Sequence, residues 1–180
     1  NASIPAAVLG ALSEGAHVIS VHARDAAGNW GPATTVTLNI DRTGPNAQNL
    51  SAAPNPNNGY QAVNSSQQSV RVNATLNEVG AGPVPSNVTR GEAFIDTAGA
   101  TGTGMQMTPA DGQYNSPTEA AYVFIPLTTI RTLSEGTHRV RVRGLDANGT
   151  WGPVSPTPLV VDKTAPTASG GTISPNPTAG

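Results

Sequence analysis

Short runs in which apolar and polar residues alternate recur along the chain. In "HVISVHARD", His17, Ile19, Val21 and Ala23 fall on one face, and Val18, Ser20 and His22 on the other. In "TTVTLNID", Val36, Leu38 and Ile40 alternate with Thr35, Thr37 and Asn39. Further on, Val70, Val72, Ala74 and Leu76 alternate with Arg71, Asn73, Thr75 and Asn77, and "EAFID" and "AAYVFIPL" read as additional strands. Gly/Asn/Pro clusters such as "AAGNWGPA" separate these runs and supply the backbone conformations that hairpins need. No segment of helical period with caps stands out. The pattern predicts an all-β chain of roughly seven short strands per unit, built as an antiparallel sandwich.

The pattern also repeats. "LSEGAHVISVHARDAAGNWGP" begins at Leu12, and "LSEGTHRVRVRGLDANGTWGP" begins at Leu133. At an offset of about 121 residues, 1–59 lies on 122–180 without a gap, and about 23 of those 59 positions are identical. The register implies three parts. Residues 1–44 carry the C-terminal strands of a preceding unit. Residues 45–165 form one complete unit, with a long polar insertion near 96–120. Residues 166–180 begin a following unit. Repeats that stack need neighbours to bury their apolar faces, so the expected partners are other copies of the unit.

Composition narrows the function classes. Nine Lys and Arg against eleven Asp and Glu, for a net charge of −2, argue against a nucleic-acid binder that relies on a basic face. No apolar run is long enough to span a membrane. Twenty Gly and sixteen Pro fit a chain of many turns. There is no Cys to act as nucleophile or disulfide partner, and no Gly-x-Ser-x-Gly elbow. The acids sit at turn positions that recur between copies, which reads as architecture; the chain is expected not to be an enzyme.

A strand ending in "ARDAAGNWG", followed by a strand ending in "IDRTGP", resembles the last two strands of bacterial and archaeal immunoglobulin-like, or fibronectin-type-III-like, surface repeats. "VRGLDANGTWGP" with "VVDKTAP" repeats the likeness. It covers 12–45 and 133–166 well, and 69–96 more loosely. The resemblance implies a secreted or cell-surface module that occurs in tandem. In giant adhesins of this kind, acids at the strand ends bind Ca²⁺ between domains, which makes Asp25, Asp41, Asp146 and Asp162 the candidate metal ligands. Ca²⁺ takes six to eight oxygens, a set that carboxylates and loop carbonyls supply. The same aspartates also suit turn capping by their own side chains.

Other residues carry narrower expectations. Trp30 and Trp151, in matched "NWGP" and "TWGP" turns, are candidate interface residues, either sealing a joint between units or stacking on a sugar of cell-surface polysaccharide. Asn73 and Asn87 are the sequons best placed for glycosylation. His17 and His138 are expected to tether a strand crossover to the backbone, in the manner of a tyrosine corner. Arg139, Arg141 and Arg143 fall on one outward stripe. Glu92, Asp96, Asp111 and Glu119 flank or lie in the insertion, which reads as a solvated loop. Together these features point to a structural repeat of an extracellular stalk, adhesin shaft or filament, with strand complementation between copies as a means of polymerisation. The alternative is a spacer or carbohydrate-binding accessory module of a secreted hydrolase.

Overall fold

The computed structural model describes residues 3–174. The outer positions of the repeat match, including 175–177 opposite Pro54-Asn55-Pro56, lie outside the described residues. In chain order the elements are α1 (Ala6–Ala11), β1 (Gly15–Val21), β2 (Thr34–Ile40), β3 (Asn46–Ala53), β4 (Ser69–Asn77), β5 (Val88–Ile95), β6 (Met105–Gln106), β7 (Thr108–Pro109), β8 (Thr118–Pro126), α2 (Leu127–Thr132), β9 (Gly136–Asp146) and β10 (Ser155–Val161).

Two four-stranded antiparallel sheets, ordered β3-β4-β8-β7 and β10-β9-β5-β6, form a sandwich. The alternation read from the sequence sets the core. Val70, Val72, Ala74 and Leu76 of β4 point inward with Ala121, Val123 and Ile125 of β8. Val140 and Val142 of β9 and Leu159 and Val161 of β10 meet them from the other sheet. Leu76, Ile125 and Leu159 are fully buried. Full burial of such side chains contributes roughly 1.5–3 kcal/mol each.

Three features depart from the sequence expectation. First, α1 and α2 are helices of six residues, too short for a period to show. The signal for α2 was Pro126 at its start, followed by Leu127 and Ile130 three apart, both buried. Second, the insertion is anchored rather than loose. β6 pairs with β5, β7 pairs with β8, and Met107 between them is buried. Glu119 and Glu92 are buried anchors and not solvated acids. The Glu119 carboxylate accepts from the backbone N–H groups of Asn115 and Ser116, both at 2.7 Å. Glu92 accepts from the Gly104 and Gly102 amides at 2.8 and 3.2 Å. Third, the basic stripe is broken. Arg143 is drawn in, with its Nε 2.6 Å from Glu92 Oε1 and its guanidinium over the Trp151 ring. Arg139 stays exposed, while Arg141 is half-buried and donates to the Asp96 carbonyl.

Residues 15–40 form a separate two-stranded sheet, β1 paired with β2 from Gly15↔Ile40 to Val21↔Thr34. With α1 before it, the hairpin corresponds to α2, β9 and β10 at the repeat offset, yet its apolar face is open. On that face Val21 is 46 % exposed and Val36 59 %, and no residue of α1 is buried. Stability therefore lies in the sandwich. Leu76→Ala is expected to cost about 2–5 kcal/mol in urea unfolding, whereas Val36→Ser on the open hairpin is expected to stay within about 0.5 kcal/mol.

Candidate functional site

The hairpin meets the sandwich through Asp41, Arg42, Thr43, Gly44 and Pro45. Gly44 and Pro45 are buried. A Cβ on Gly44 would come within 2.6 Å of the Thr150 carbonyl oxygen, so the backbone approach there requires glycine. Gly152 faces it, its own missing Cβ position occupied by the Pro45 backbone. On the hairpin side, Glu14 Oε1 accepts from the Arg42 amide at 2.6 Å and the Thr43 hydroxyl at 2.8 Å. The Arg42 guanidinium donates to the Leu12 and Leu9 carbonyls, turned away from the joint. Asn148 crosses the joint and donates from Nδ2 to Asp41 Oδ2 at 2.6 Å.

This closure brings three carboxylates together. Asp41, Glu78 and Asp146 each place an oxygen within 4.8 Å of the other two. Glu78 is 0 % exposed and Asp146 1 %. Strand parity puts both there. Asp146 continues the inward face of Val140, Val142 and Gly144, and Glu78 follows Val70, Val72, Ala74 and Leu76 just past the end of β4. Asp146 Oδ1 accepts from the Thr150 amide at 2.7 Å, but its Oδ2 and both oxygens of Glu78 are buried without a partner. Three ionised carboxylates so close repel by on the order of 3 kcal/mol per pair at an effective dielectric of 20. Burial, and then the charges of Asp41, Asp146 and Glu14, push the Glu78 carboxyl up to about 7. The two ion pairs among the described residues, His138–Asp96 and Arg143–Glu92, involve other acids. These three residues could hold a hard cation.

The four predicted aspartates thus separate. Asp41 and Asp146 lie in the cluster. Asp25 is exposed and caps its own turn, accepting from the Asn29 amide at 2.8 Å and from Asn29 Nδ2 at 3.1 Å, and these bonds hold its carboxyl below the usual carboxylate range. Asp162 is exposed and accepts from the Thr164 amide at 3.2 Å. Comparing the copies is instructive: Nδ2 of the Asn29 side chain donates to Oδ2 of Asp25, but Thr150 stands at the matching position and leaves Oδ2 of Asp146 open. Glu78 was missed because its region has no second copy in the chain. Its inward parity was the available signal, since an acid on a core-facing position demands a partner.

The other predicted residues sit apart from the cluster or at its edge. Trp30 is 59 % exposed and stacked on His22 at 4.2 Å, in a shallow cleft with Arg24, Asp25 and Asn29. Trp151 is half-buried, and its backbone lies against Gly44 at the joint. Asn87 is exposed, while Asn73 is half-buried and donates to Ser51 Oγ at 3.3 Å. His17 and His138 each place Nε2 on the carbonyl four residues back, Ser13 O at 2.8 Å and Ser134 O at 2.9 Å, as the crossover tether requires.

His138 also has Nδ1 2.7 Å from Asp96 Oδ2 and Nε2 3.4 Å from Ser134 Oγ. The constellation looks like a Ser–His–Asp relay, but its hydrogen bonds argue against a general base. Both ring nitrogens face acceptors, so the ring is held as a double donor, whereas a base needs a free lone pair toward the hydroxyl. The Asp96 contact, with the Ser134 carbonyl adding to it, raises the His138 pKa, and the same contact, helped by the Arg139 amide, lowers that of Asp96.

The strand orders match the ABED and CFG arrangement of an immunoglobulin-like sandwich: β3-β4-β8-β7 corresponds to A-B-E-D, and β10-β9-β5 to G-F-C. The chain is an all-β antiparallel sandwich of the immunoglobulin and fibronectin-III-like kind. It is similar to the fibronectin(III)-like modules of Clostridium thermocellum CbhA, at 15 % identity over 89 % of this chain and 70 % of that one, with a TM-score of 0.37. No protein-family model matches the sequence, and none of the curated proteins does.

The His138–Asp96 contact makes stability pH-dependent. A raised histidine pKa contributes fully below the unfolded value of about 6.5 and is lost as pH rises through the folded value. A lowered aspartate pKa contributes above about 3.9 and is lost on acidification. The contact therefore acts most strongly between about pH 4 and 6.5. Asp96→Asn, which keeps Oδ1 for the Arg139 amide, is expected to lower stability by about 0.5 kcal/mol at pH 5.5, with the gap closing by pH 8.5 in paired thermal melts.

Proposed function

We propose that this chain is part of a non-enzymatic extracellular spacer, in which immunoglobulin-like units follow one another in tandem to build a stalk, adhesin shaft or filament. Its partners are other copies of the same unit. The observation that carries this reading is the joint. Gly44 and Pro45 are buried against Gly144, Trp151 and Gly152, so the segment that leaves one unit is packed into the next instead of hanging between them. A joint packed on backbone resists bending, which is what a load-bearing array asks of its links. The open face of the hairpin supports the same reading. Its counterparts Val140, Val142, Leu159 and Val161 are fully or almost fully buried by the strands of the complete unit. Strands equivalent to β3–β8, from earlier sequence or from another chain, would cover Val36 and Leu38 in the same way.

A second reading rests on Trp30. An indole 59 % exposed beside Arg24, Asp25 and Asn29 suits stacking on a sugar ring, as in an accessory module that contacts polysaccharide. Retardation of the chain in polysaccharide gels, abolished by Trp30→Ala, would favour it.

Solution X-ray scattering tests the spacer reading. The wild-type curve is expected to fit one fixed arrangement of hairpin and sandwich. Gly44→Val, which forces a side chain into the Thr150–Gly152 backbone, is expected to increase the radius of gyration and to need an ensemble, at a stability cost of about 1–3 kcal/mol. A wild-type curve that already requires a flexible ensemble, unchanged by Gly44→Val, would sink the idea of a packed joint.

A further inference from the structure

We infer that the cleft between the β3–β4 connection and α2 binds a carboxylated sugar, a hexuronate unit of an acidic polysaccharide, through Tyr60, Arg131 and Lys163. The cleft has a volume of about 190 Å³ and is lined by these three residues and Asn58, two cations and no acid. It is smaller than the roughly 300–1,000 Å³ of sites for drug-sized ligands, a size that suits one sugar ring. The inference uses neither the packed joint nor Trp30.

Unspent charge is the first observation that carries it. Arg131 gives only its Nε to the protein, donating to the Gly59 carbonyl at 2.8 Å, and both its Nη groups lack a hydrogen-bond partner among the described residues. Lys163 donates to the Arg131 and Leu133 carbonyls at 2.9 and 2.6 Å, which leaves one of its N–H donors open. The ion pairs of the described residues involve neither cation. An open guanidinium presents the planar fork that a carboxylate fills with two hydrogen bonds.

The second observation is the platform beside that fork. The Arg131 guanidinium lies 4.4 Å from the Tyr60 ring centroid, yet Tyr60 remains 72 % exposed. A ring so placed offers an apolar surface to the C–H face of a pyranose. Its loop is held from beneath. Asn57, 1 % exposed, accepts from the Gly59 amide and donates to the Gln61 carbonyl, both at 2.7 Å. Gly59 has φ +86°, and a Cβ there would come within 2.6 Å of Arg131 Cγ, so glycine lets the arginine stem lie on the loop. The ligand therefore meets a preformed surface, which lowers the cost of ordering it.

The repeat shows that the fold does not require this guanidinium. Gly10 stands where Arg131 does, while Arg42 keeps the contacts of Lys163 to the carbonyls of the short helix. Beyond Asn58 the cleft continues into a second one of about 230 Å³, which Gln61 and Asp162 also line. Amides and a carboxylate there suit sugar hydroxyls. A cationic half followed by a hydroxyl-binding half favours an acidic sugar over a bare anion.

NMR titration of the whole 180-residue chain with trigalacturonate tests this, with neutral galactotriose and sodium acetate in parallel runs. Trigalacturonate is expected to shift the amide signals of 58–61 and 131–133 saturably, and its affinity falls as ionic strength rises. Galactotriose and acetate are expected to bind about tenfold more weakly or less. Arg131→Gln is expected to weaken trigalacturonate binding about tenfold or more. Tyr60→Ala, at a mostly exposed side chain that the core does not need, is expected to weaken it about three- to tenfold. Trp30→Ala leaves it unchanged. No binding of trigalacturonate, or galactotriose binding as tightly, overturns the proposal, and acetate binding as tightly reduces the cleft to a bare anion site and overturns it too. Full binding by both cleft variants with loss in Trp30→Ala overturns it as well and places the sugar on the hairpin.

Discussion

The approach of Gly44 to Gly152 is the constraint on which the joint depends. Neither position tolerates a Cβ, because one on Gly44 would run into the backbone of 150–152 and one on Gly152 into the backbone of Pro45. With the two backbones in contact, Asp41 lies beside Glu78 and Asp146. Thr43 then lies against Gly82, and Asn148 reaches across to Asp41. The backbone contact is steric and short-range, while the acids it gathers repel one another. The joint is thus a balance in which packing holds charge in place, and burial, followed by the neighbouring acids, pushes the Glu78 carboxyl up to about 7.

The sandwich supplies the rigid half of this arrangement. Glu78 and Asp146 stand at the same end of the two sheets, each one step beyond the last apolar residue of an inward-facing row. The core therefore runs out of hydrophobic side chains and into carboxylates without a change of register. Elsewhere the same fold meets buried acids differently. Glu92 takes Arg143 and two glycine amides, and Glu119 takes two backbone amides of its own turn. Both are satisfied structural anchors. Among the described residues, only at the joint are buried carboxylate oxygens left open, which distinguishes a site from a scaffold.

Much of the fold was legible in the sequence because strand alternation and core burial are the same physical fact. Val70 to Leu76 and the apolar rows of the last two strands point where parity put them. The helices were not legible: six residues give less than two turns of period, and α2 is fixed by the tertiary burial of Leu127 and Ile130. Nor was the insertion, whose polar composition hides Met107 and the glutamate anchors. At the site, the repeat drew attention to Asp41 and Asp146 but equally to Asp25 and Asp162, because a repeat marks positions and cannot say which of them meet in space. Glu78 lies where the chain has one copy only, so self-comparison was blind to it, and only its parity spoke.

The two copies differ at the residues that build the joint, and the differences have opposite effects. Thr150 in place of Asn29 opens an oxygen of Asp146 that Asn29 closes on Asp25. Ala165 stands where the first copy has Gly44. Around it the hairpin-side contacts are kept: the Thr164 hydroxyl donates to Glu135 Oε1 at 2.7 Å as Thr43 does to Glu14, and Lys163 donates to the Arg131 and Leu133 carbonyls much as Arg42 does to Leu9 and Leu12. A unit placed after Ala165 in the pose seen here would meet a methyl group where Gly44 leaves room, in a contact already closed by backbone. Such a unit has to stand off or rotate.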